Sequence, residues 1–233
     1  MTNIAIITAR GGSKRIPRKV IRPFLGKPIM LYSIETALQS GLFDEVMVST
    51  EDDEIADLAV QHGASVPFRR SAKTADDFAT TAEVLSEVLT NYEERGQTFT
   101  NACCLYPTAP FVTPVLLQQA FDTLQTRSFD CVFPVQRFGF PVQRAVTFVN
   151  DRLTWLQPEH ALTRSQDLQP AYHDAGQFYF FNVAVFRQKG RLLTDNTSGL
   201  VISEMQAQDI DNEEDWQVAE FKYRLLFPDK KRS

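Results

Sequence analysis

Cysteine, histidine, surplus basic charge and long apolar runs are all scarce in this chain. Cys103, Cys104 and Cys131 are odd in number, two of them are adjacent, and none has metal-ligand spacing. This excludes a disulfide framework and reads as small core residues in a reducing cytoplasm. The three histidines, His62, His160 and His173, stand far apart, so a zinc site is not expected. The longest apolar stretch, 178–186, is interrupted by Asn182 and falls short of the ~20 residues of a membrane span. It reads as a buried strand. The opening residues MTNIAIITARGG carry no basic segment ahead of the apolar stretch and do not read as a secretory signal. Lys and Arg total 24 against 29 Asp and Glu, a net charge of -5. General nucleic-acid affinity needs the opposite balance. A cytoplasmic protein with neither nucleic acid nor membrane as partner is expected.

What is present is the make-up of a globular domain: 233 residues, 43% hydrophobic and 23% charged. Residues 3–8 suit a buried parallel strand. Helical spacing over 27–40 stops at Gly41, a strand is expected at 45–49, and an amphipathic helix over 52–62 ends at Gly63. The alternation continues with a helix at 80–92, a strand at 102–106, a helix at 114–126 and a strand at 131–135. It predicts an α/β fold with a mostly parallel sheet and helices on both faces. Residues 136–173 break the pattern. They are read as an insertion within one domain spanning 1–233, and strand character returns over 177–186. An acidic cluster at 209–215 precedes a helix near 216–226, and the KKRS end is expected to fray.

The loop after the first strand holds six of the 24 basic residues within 10–22: Arg10, Lys14, Arg15, Arg18, Lys19 and Arg22. In an acidic chain this concentration points to an anion site. Gly11 and Gly12 let their backbone N–H groups approach phosphate oxygens closely. The loop also leaves the carboxyl end of a strand, where open α/β sheets bind ligands. It matches neither the G-x-x-x-x-G-K-[ST] nor the G-x-G-x-x-G pattern.

The stretch RGGSKRIPRK, residues 10–19, resembles the N-terminal signature of the cytidylyltransferases that activate sialic-acid-type sugars. Further matches follow in order: RSAKTADD at 70–77, YPTAP at 106–110, FPVQRA at 140–145, RSQDLQPAYHDAGQFYFFN at 164–182 and DIDNEEDW at 209–216. Tyr106 stands where sialic-acid enzymes carry Gln, and here and over 164–182 the chain resembles the pseudaminic-acid branch. Ser71, Thr74 and Val20 depart from the family pattern. Val20 stands where the family carries an Asn that contacts the nucleotide, so that contact is absent or replaced.

The resemblance implies a Rossmann-like nucleotidyltransferase fold and transfer of CMP from CTP to a nonulosonic acid, with release of diphosphate. The product would serve bacterial surface-glycan or flagellin glycosylation. Arg10 and Lys19 are then the phosphate contacts, Gly11, Gly12, Ser13 and Lys14 the cradle, and Arg70 a further CTP contact. If 208–211 is extended, Asp209 and Asp211 share one side while Ile210 packs inward. Such oxygen ligands favour Mg²⁺ or Mn²⁺. Glu213, Glu214 and Asp215 fit an acidic helix start instead. Arg10, Lys19 and Asp211 form the expected catalytic set. Sugar contacts are expected from Tyr106, Thr108, Arg144, Arg164, Gln166, Tyr172, His173, Asp174, Gln177 and Tyr179. The base is open between His173 and metal-lowered acidity of the sugar hydroxyl. Competing readings are the same reaction on N-acetylneuraminic or legionaminic acid, an inactive nucleotide-sugar-binding protein, and a sugar-1-phosphate nucleotidyltransferase. Apolar alternation from Phe138 to Phe148, with Leu153, Trp155 and Leu156, predicts a projecting hairpin in 136–173. A two-fold homodimer is expected to cover it, with Gln143 or Arg144 reaching the partner's site.

Overall fold

The computed structural model describes residues 1–76 and 78–228. The first half of the chain runs β1 (Asn3–Thr8), β2 (Pro23–Phe24), β3 (Lys27–Pro28), α1 (Ile29–Ser40), β4 (Glu45–Ser49), α2 (Asp53–Gln61), α3 (Ala72–Ala75), α4 (Thr81–Glu94), β5 (Asn101–Leu105) and α5 (Pro114–Thr126). The second half runs β6 (Cys131–Arg137), β7 (Val146–Val149), β8 (Arg152–Trp155), β9 (Tyr172–Asp174), β10 (Phe178–Asn182), α6 (Val183–Lys189), β11 (Thr197–Ile202) and α7 (Glu213–Leu226).

The main sheet has the order β11-β6-β10-β5-β1-β4, with β9 added against β6. β1 is parallel to β4 and β5, and β6 is parallel to β11. β10 runs antiparallel between β5 and β6. Side chains alternate between two packed faces, as the strand period requires. Ala5 and Ile7 of β1 join Met30 and Ile34 of α1 and Leu117 and Ala120 of α5. Ile4 and Ile6 meet Leu85, Val88 and Tyr92 of α4 on the opposite face. Cys103, Cys104 and Cys131 are buried and unbonded in this sheet, and burial pushes the Cys104 and Cys131 thiols up to about 12. Among the described residues, no helix is long and apolar enough to cross a membrane.

A third, smaller core lies beneath the chain's charged segments. Ile16 of the glycine-rich loop, Phe24, Ile29, Phe111, Ile210, Trp216, Ala219 and Tyr223 pack together there. The Phe24 ring meets Tyr32, Trp216 and Tyr223 edge-on, with centroids 5.5–5.7 Å apart. This core docks α7 against the loop that follows β1.

Three expectations need correction. The apolar run over 178–186 is a strand only to Asn182, whose side chain accepts from the Val185 N–H at 3.0 Å and starts α6. The hairpin in the insertion is not 138–148. That stretch passes through Pro141 and a single 3-10 turn at Val142–Arg144 before β7 pairs with β8. Asn150 and Asp151 both take positive φ, 49° and 62°, as a two-residue turn matched to strand twist requires. Finally, β11 forms the sheet edge although no strand was expected there. The KKRS tail lies outside the described residues.

The insertion leaves on β6 and returns on β9, which pair from Val135↔Asp174 to Arg137↔Tyr172. Between them is an arm most of whose large apolar side chains, Leu168 apart, face solvent in the single chain. Phe140 is 88% exposed, Phe148 74% and Leu162 98%.

Candidate active site

Charged and polar residues converge at the carboxyl ends of the parallel strands. The loop after β1 brings Arg10–Arg22 there, β4 leads to Glu51, β5 to Tyr106, and β11 to the acidic segment. β10 starts at the same edge, preceded by Gln177. α1, between β1 and β4, and α4, which leads into β5, pack on opposite faces of the sheet, and β4 and β5 flank β1, so the chain reverses direction in the sheet at β1. Such a switch point opens a ligand crevice.

The glycine-rich loop is held from below by carboxylates. The Gly11 N–H donates to Glu51 Oε1 at 2.8 Å. A Cβ at Gly11 would lie 2.6 Å from Asp52 Oδ2, so a larger residue there would have to displace the Asp52 carboxylate. A Cβ at Gly12 would meet nothing within 4 Å, which leaves its surroundings open. The Ser13 N–H donates to Gly11 O at 3.1 Å and tightens the turn. Arg18, at φ 53°, donates to both Asp52 and Glu54. Its hydrogen bond holds the Asp52 carboxyl below its ordinary value. Asp52 also caps α2 by accepting from the Ile55 N–H.

The other end of the loop is tied to the acidic segment. Arg15 Nη2 lies 2.7 Å from Asp211 Oδ1. Lys19 Nζ donates to the Ile210 carbonyl at 2.7 Å. Arg22 grips Glu213 with two bonds and stacks over Trp216. Burial lowers the Lys19 ammonium, while Asp211 and Asp209 act to raise it. Arg10 Nη1 donates to the Asp76 carbonyl at 3.3 Å. Val20 points away from the crevice into the main core, 5% exposed, so an apolar residue suits its position. Lys14 lies at the exposed tip of the same loop.

Ile210 is 1% exposed, and the carboxylates on either side of it interact. Burial, then the Asp211 charge, pushes the Asp209 carboxyl up, against the pull of Lys19. Two crowded carboxylates beside a glycine-rich cationic loop offer the oxygen ligands that suit a hard divalent cation. Among the described residues, no group of three His, Cys, Asp or Glu could form a cage by itself. Glu213–Asp215 begin α7, where Asn212 and Asp215 cap each other, as expected of an acidic helix start.

Across the crevice, Tyr106, Tyr179 and Asp174 form a chain. The Tyr179 hydroxyl donates to Asp174. The Tyr106 and Tyr179 rings meet edge-on at 5.8 Å. Burial raises both phenols, so they act as neutral donors. Gln177 is 2% exposed; its Nε2 donates to Gln206 O at 2.6 Å and its Oε1 has no partner among the described residues. Arg70 is buried at the end of β4, donating to Ser49 O and Oγ. Thr108 lies half-buried two residues beyond Tyr106.

The remaining expected sugar contacts sit on the arm and its base. Arg144 bonds to Ser165, Arg164 pairs with Asp167, and Gln166 lies exposed between those two partners. Tyr172 and His173 are on β9. His173 Nδ1 lies 2.9 Å from the Asp174 carbonyl, which can only accept, so Nδ1 is the donor. Thus one chain brings together Tyr106, Asp174, Gln177 and Tyr179, and holds Arg144, Arg164 and Gln166 apart on the arm. Glu51, Asp52 and Glu54, which shape the loop, were not anticipated. Their signal was partial: STEDDE reads as a helix cap but does not reveal Arg18 as its partner.

A protein-family model described as Cytidylyltransferase matches residues 4–215. The chain is 39% identical over 226 residues to a pseudaminic acid cytidylyltransferase of Campylobacter jejuni subsp. jejuni serotype O:2, covering 97% of each. It is 39% identical over 122 residues to a CMP-N,N'-diacetyllegionaminic acid synthase of Legionella pneumophila, covering 52% of this chain and 53% of that one. In fold it resembles a CMP:2-keto-3-deoxy-manno-octonic acid synthetase complexed with CTP. The TM-score is 0.72 at 16% identity, covering 97% of this chain and 100% of that one.

The Arg18–Asp52 pair has a defined pH signature. A carboxyl held low in the folded state contributes stability above its unfolded value and loses it as pH falls through the folded value. Asp52→Asn keeps the helix cap and removes the charge. The gap in urea midpoint between wild type and variant should be widest near neutrality and narrow below about pH 4. A gap independent of pH would contradict this reading of the pair.

Proposed function

The chain belongs to the cytidylyltransferase family, and from that premise we propose that it converts CTP and pseudaminic acid to CMP-pseudaminate and diphosphate. One observation carries the reading. The glycine-rich cationic loop is tied to the Asp209–Asp211 segment through Arg15–Asp211 and Lys19–Ile210, and β5 leads to Tyr106 at the same end of the sheet. Relatives that match over 97% of both chains carry the pseudaminic acid name.

In this reaction the sugar C2 hydroxyl oxygen bonds to the α-phosphorus as the bond to the β-phosphate oxygen breaks. The chain's own work is positioning and charge. Gly11, Gly12, Ser13 and Lys14 cradle the triphosphate, Arg10 and Lys19 balance its charge, and Arg70 contacts the nucleotide. A Mg²⁺ or Mn²⁺ held by Asp209 and Asp211 supplies further charge neutralisation and Lewis acidity. Tyr106, Thr108, Asp174, Gln177 and Tyr179 line the sugar side. Tyr106 is an aromatic donor where an amide would suit a different sugar tail. CTP is made in the cytoplasm, and we place the reaction there.

The sugar carboxylate needs a cation, and Arg144 and Arg164 are on the arm. We assign the cover of the exposed apolar arm to a second copy in a two-fold dimer, with arm residues Tyr172 and His173 at its base and Gln143, Arg144, Arg164 and Gln166 toward the partner's sugar pocket. Exposed Phe140, Phe148 and Leu153 support this, since a patch of that kind marks an interface.

Diphosphate release from CTP and Mg²⁺ with a panel of nonulosonic acids tests the activity. Pseudaminic acid should react far faster than N-acetylneuraminic acid. EDTA should abolish turnover, Mn²⁺ or Mg²⁺ restore it, and Asp211→Ala lose at least roughly a hundredfold in kcat, about 2.7 kcal/mol of barrier. Faster turnover of N-acetylneuraminate would overturn the sugar assignment, and full activity of Asp211→Ala the metal pair. Light scattering tests the assembly: a mass twice the 26.5 kDa chain is expected, and a fully active monomer at micromolar concentration would refute the dimer.

A further inference from the structure

The segment that carries Asp209 and Asp211 has little regular structure to hold it. Between β11 and α7 it makes only one 3-10 turn, Glu204–Gln206. Its carbonyls are held instead by side chains from four separate parts of the chain. Gln136 of β6 donates to Ser203 O at 2.9 Å, Gln177 to Gln206 O at 2.6 Å, and Lys19 to Ile210 O at 2.7 Å. Lys222 of α7 makes three bonds: to Glu204 O at 2.9 Å, to Ala207 O at 2.9 Å and to Gln208 Oε1 at 3.0 Å. An ammonium has three N–H groups, so all of them are used.

The third bond leads onward. With its oxygen engaged by Lys222, the Gln208 amide turns its Nε2 to Asp209 O at 3.1 Å and to Asp215 Oδ1 at 3.4 Å. Asp215 Oδ2 in turn accepts from the Asp211 N–H at 2.9 Å. One cation on α7 is therefore connected through a single glutamine to the backbone of both members of the carboxylate pair.

We propose that Lys222 is a positioning residue for the metal-binding pair, acting through Gln208 on the backbone of Asp209 and, through Asp215, of Asp211. The proposal rests on the reading of Asp209 and Asp211 as metal ligands. Lys222 itself touches neither the metal nor the nucleotide. Groups that orient metal ligands in this way typically govern affinity by about 10- to 100-fold when removed.

The test is a Mn²⁺ titration of the full chain with CTP and no sugar, followed by the EPR signal of free Mn²⁺. Lys222→Met keeps the length of the side chain and removes its donors. Gln208→Leu cuts the same connection on a partly exposed side chain, should Lys222→Met not fold. Either folded variant should bind Mn²⁺ roughly tenfold more weakly, with kcat reduced and the KM for CTP changed less. Asp211→Ala, run in parallel, should lose Mn²⁺ binding. If it does while the Lys222 and Gln208 variants bind Mn²⁺ as wild type does and only melt earlier, Lys222 is merely structural and the proposal falls. If Asp211→Ala binds Mn²⁺ normally, the metal pair is wrong and the proposal falls with it.

Discussion

The shared burial of Ile16 and Ile210 is the constraint on which the rest of the crevice depends. Both side chains are at most 1% exposed and belong to one small core with Phe24, Trp216 and Tyr223. Burying an isoleucine contributes about 1.5–3 kcal/mol. An exposed ion pair such as Arg15–Asp211 contributes about 0–1 kcal/mol. Apolar packing therefore decides how closely the two segments approach, and the charges adjust to it. Once Ile16 and Ile210 face inward, the residues beside them face out. Cations from one segment and carboxylates from the other then meet in the crevice.

The same constraint explains why like charges tolerate proximity here. The Asp211 charge adds to the cost of ionising Asp209, and Lys19 and Arg15 offset it. Anchored segments cannot drift apart to relieve the repulsion. On the proposed reading, a divalent cation and a triphosphate would exchange charge with groups already in place. The last helix matters for this reason. Trp216 and Tyr223 supply walls of the small core, and Arg22 and Glu213 clamp its rim.

Local periodicity made much of this legible. The alternation of strands and helices from Asn3 to Val135 follows the pattern of apolar residues, and most element bounds fall within a few residues of those expected. The inward turn of Ile210 between two aspartates was readable in the same way. Other features were not, because they depend on partners far apart in sequence. Arg18 finds Asp52 34 residues on, and Lys19 finds Ile210 191 residues on. Asn182 looked like a polar break in a strand and is a helix cap. β11 escaped notice because TSGLVI has too little apolar alternation to stand out as an edge strand. The arm misled for a related reason: alternation began at Phe138, but Pro141 delays the ladder until Val146.

The position of the bound nucleotide is decisive. A crystal structure of the protein with CTP should place the triphosphate over the Gly11–Gly12 backbone, between the loops that follow β1 and β5, with Asp209 and Asp211 beside it and Ile16 and Ile210 still buried together. A triphosphate bound elsewhere, or a complex in which those two isoleucines separate, would contradict this arrangement.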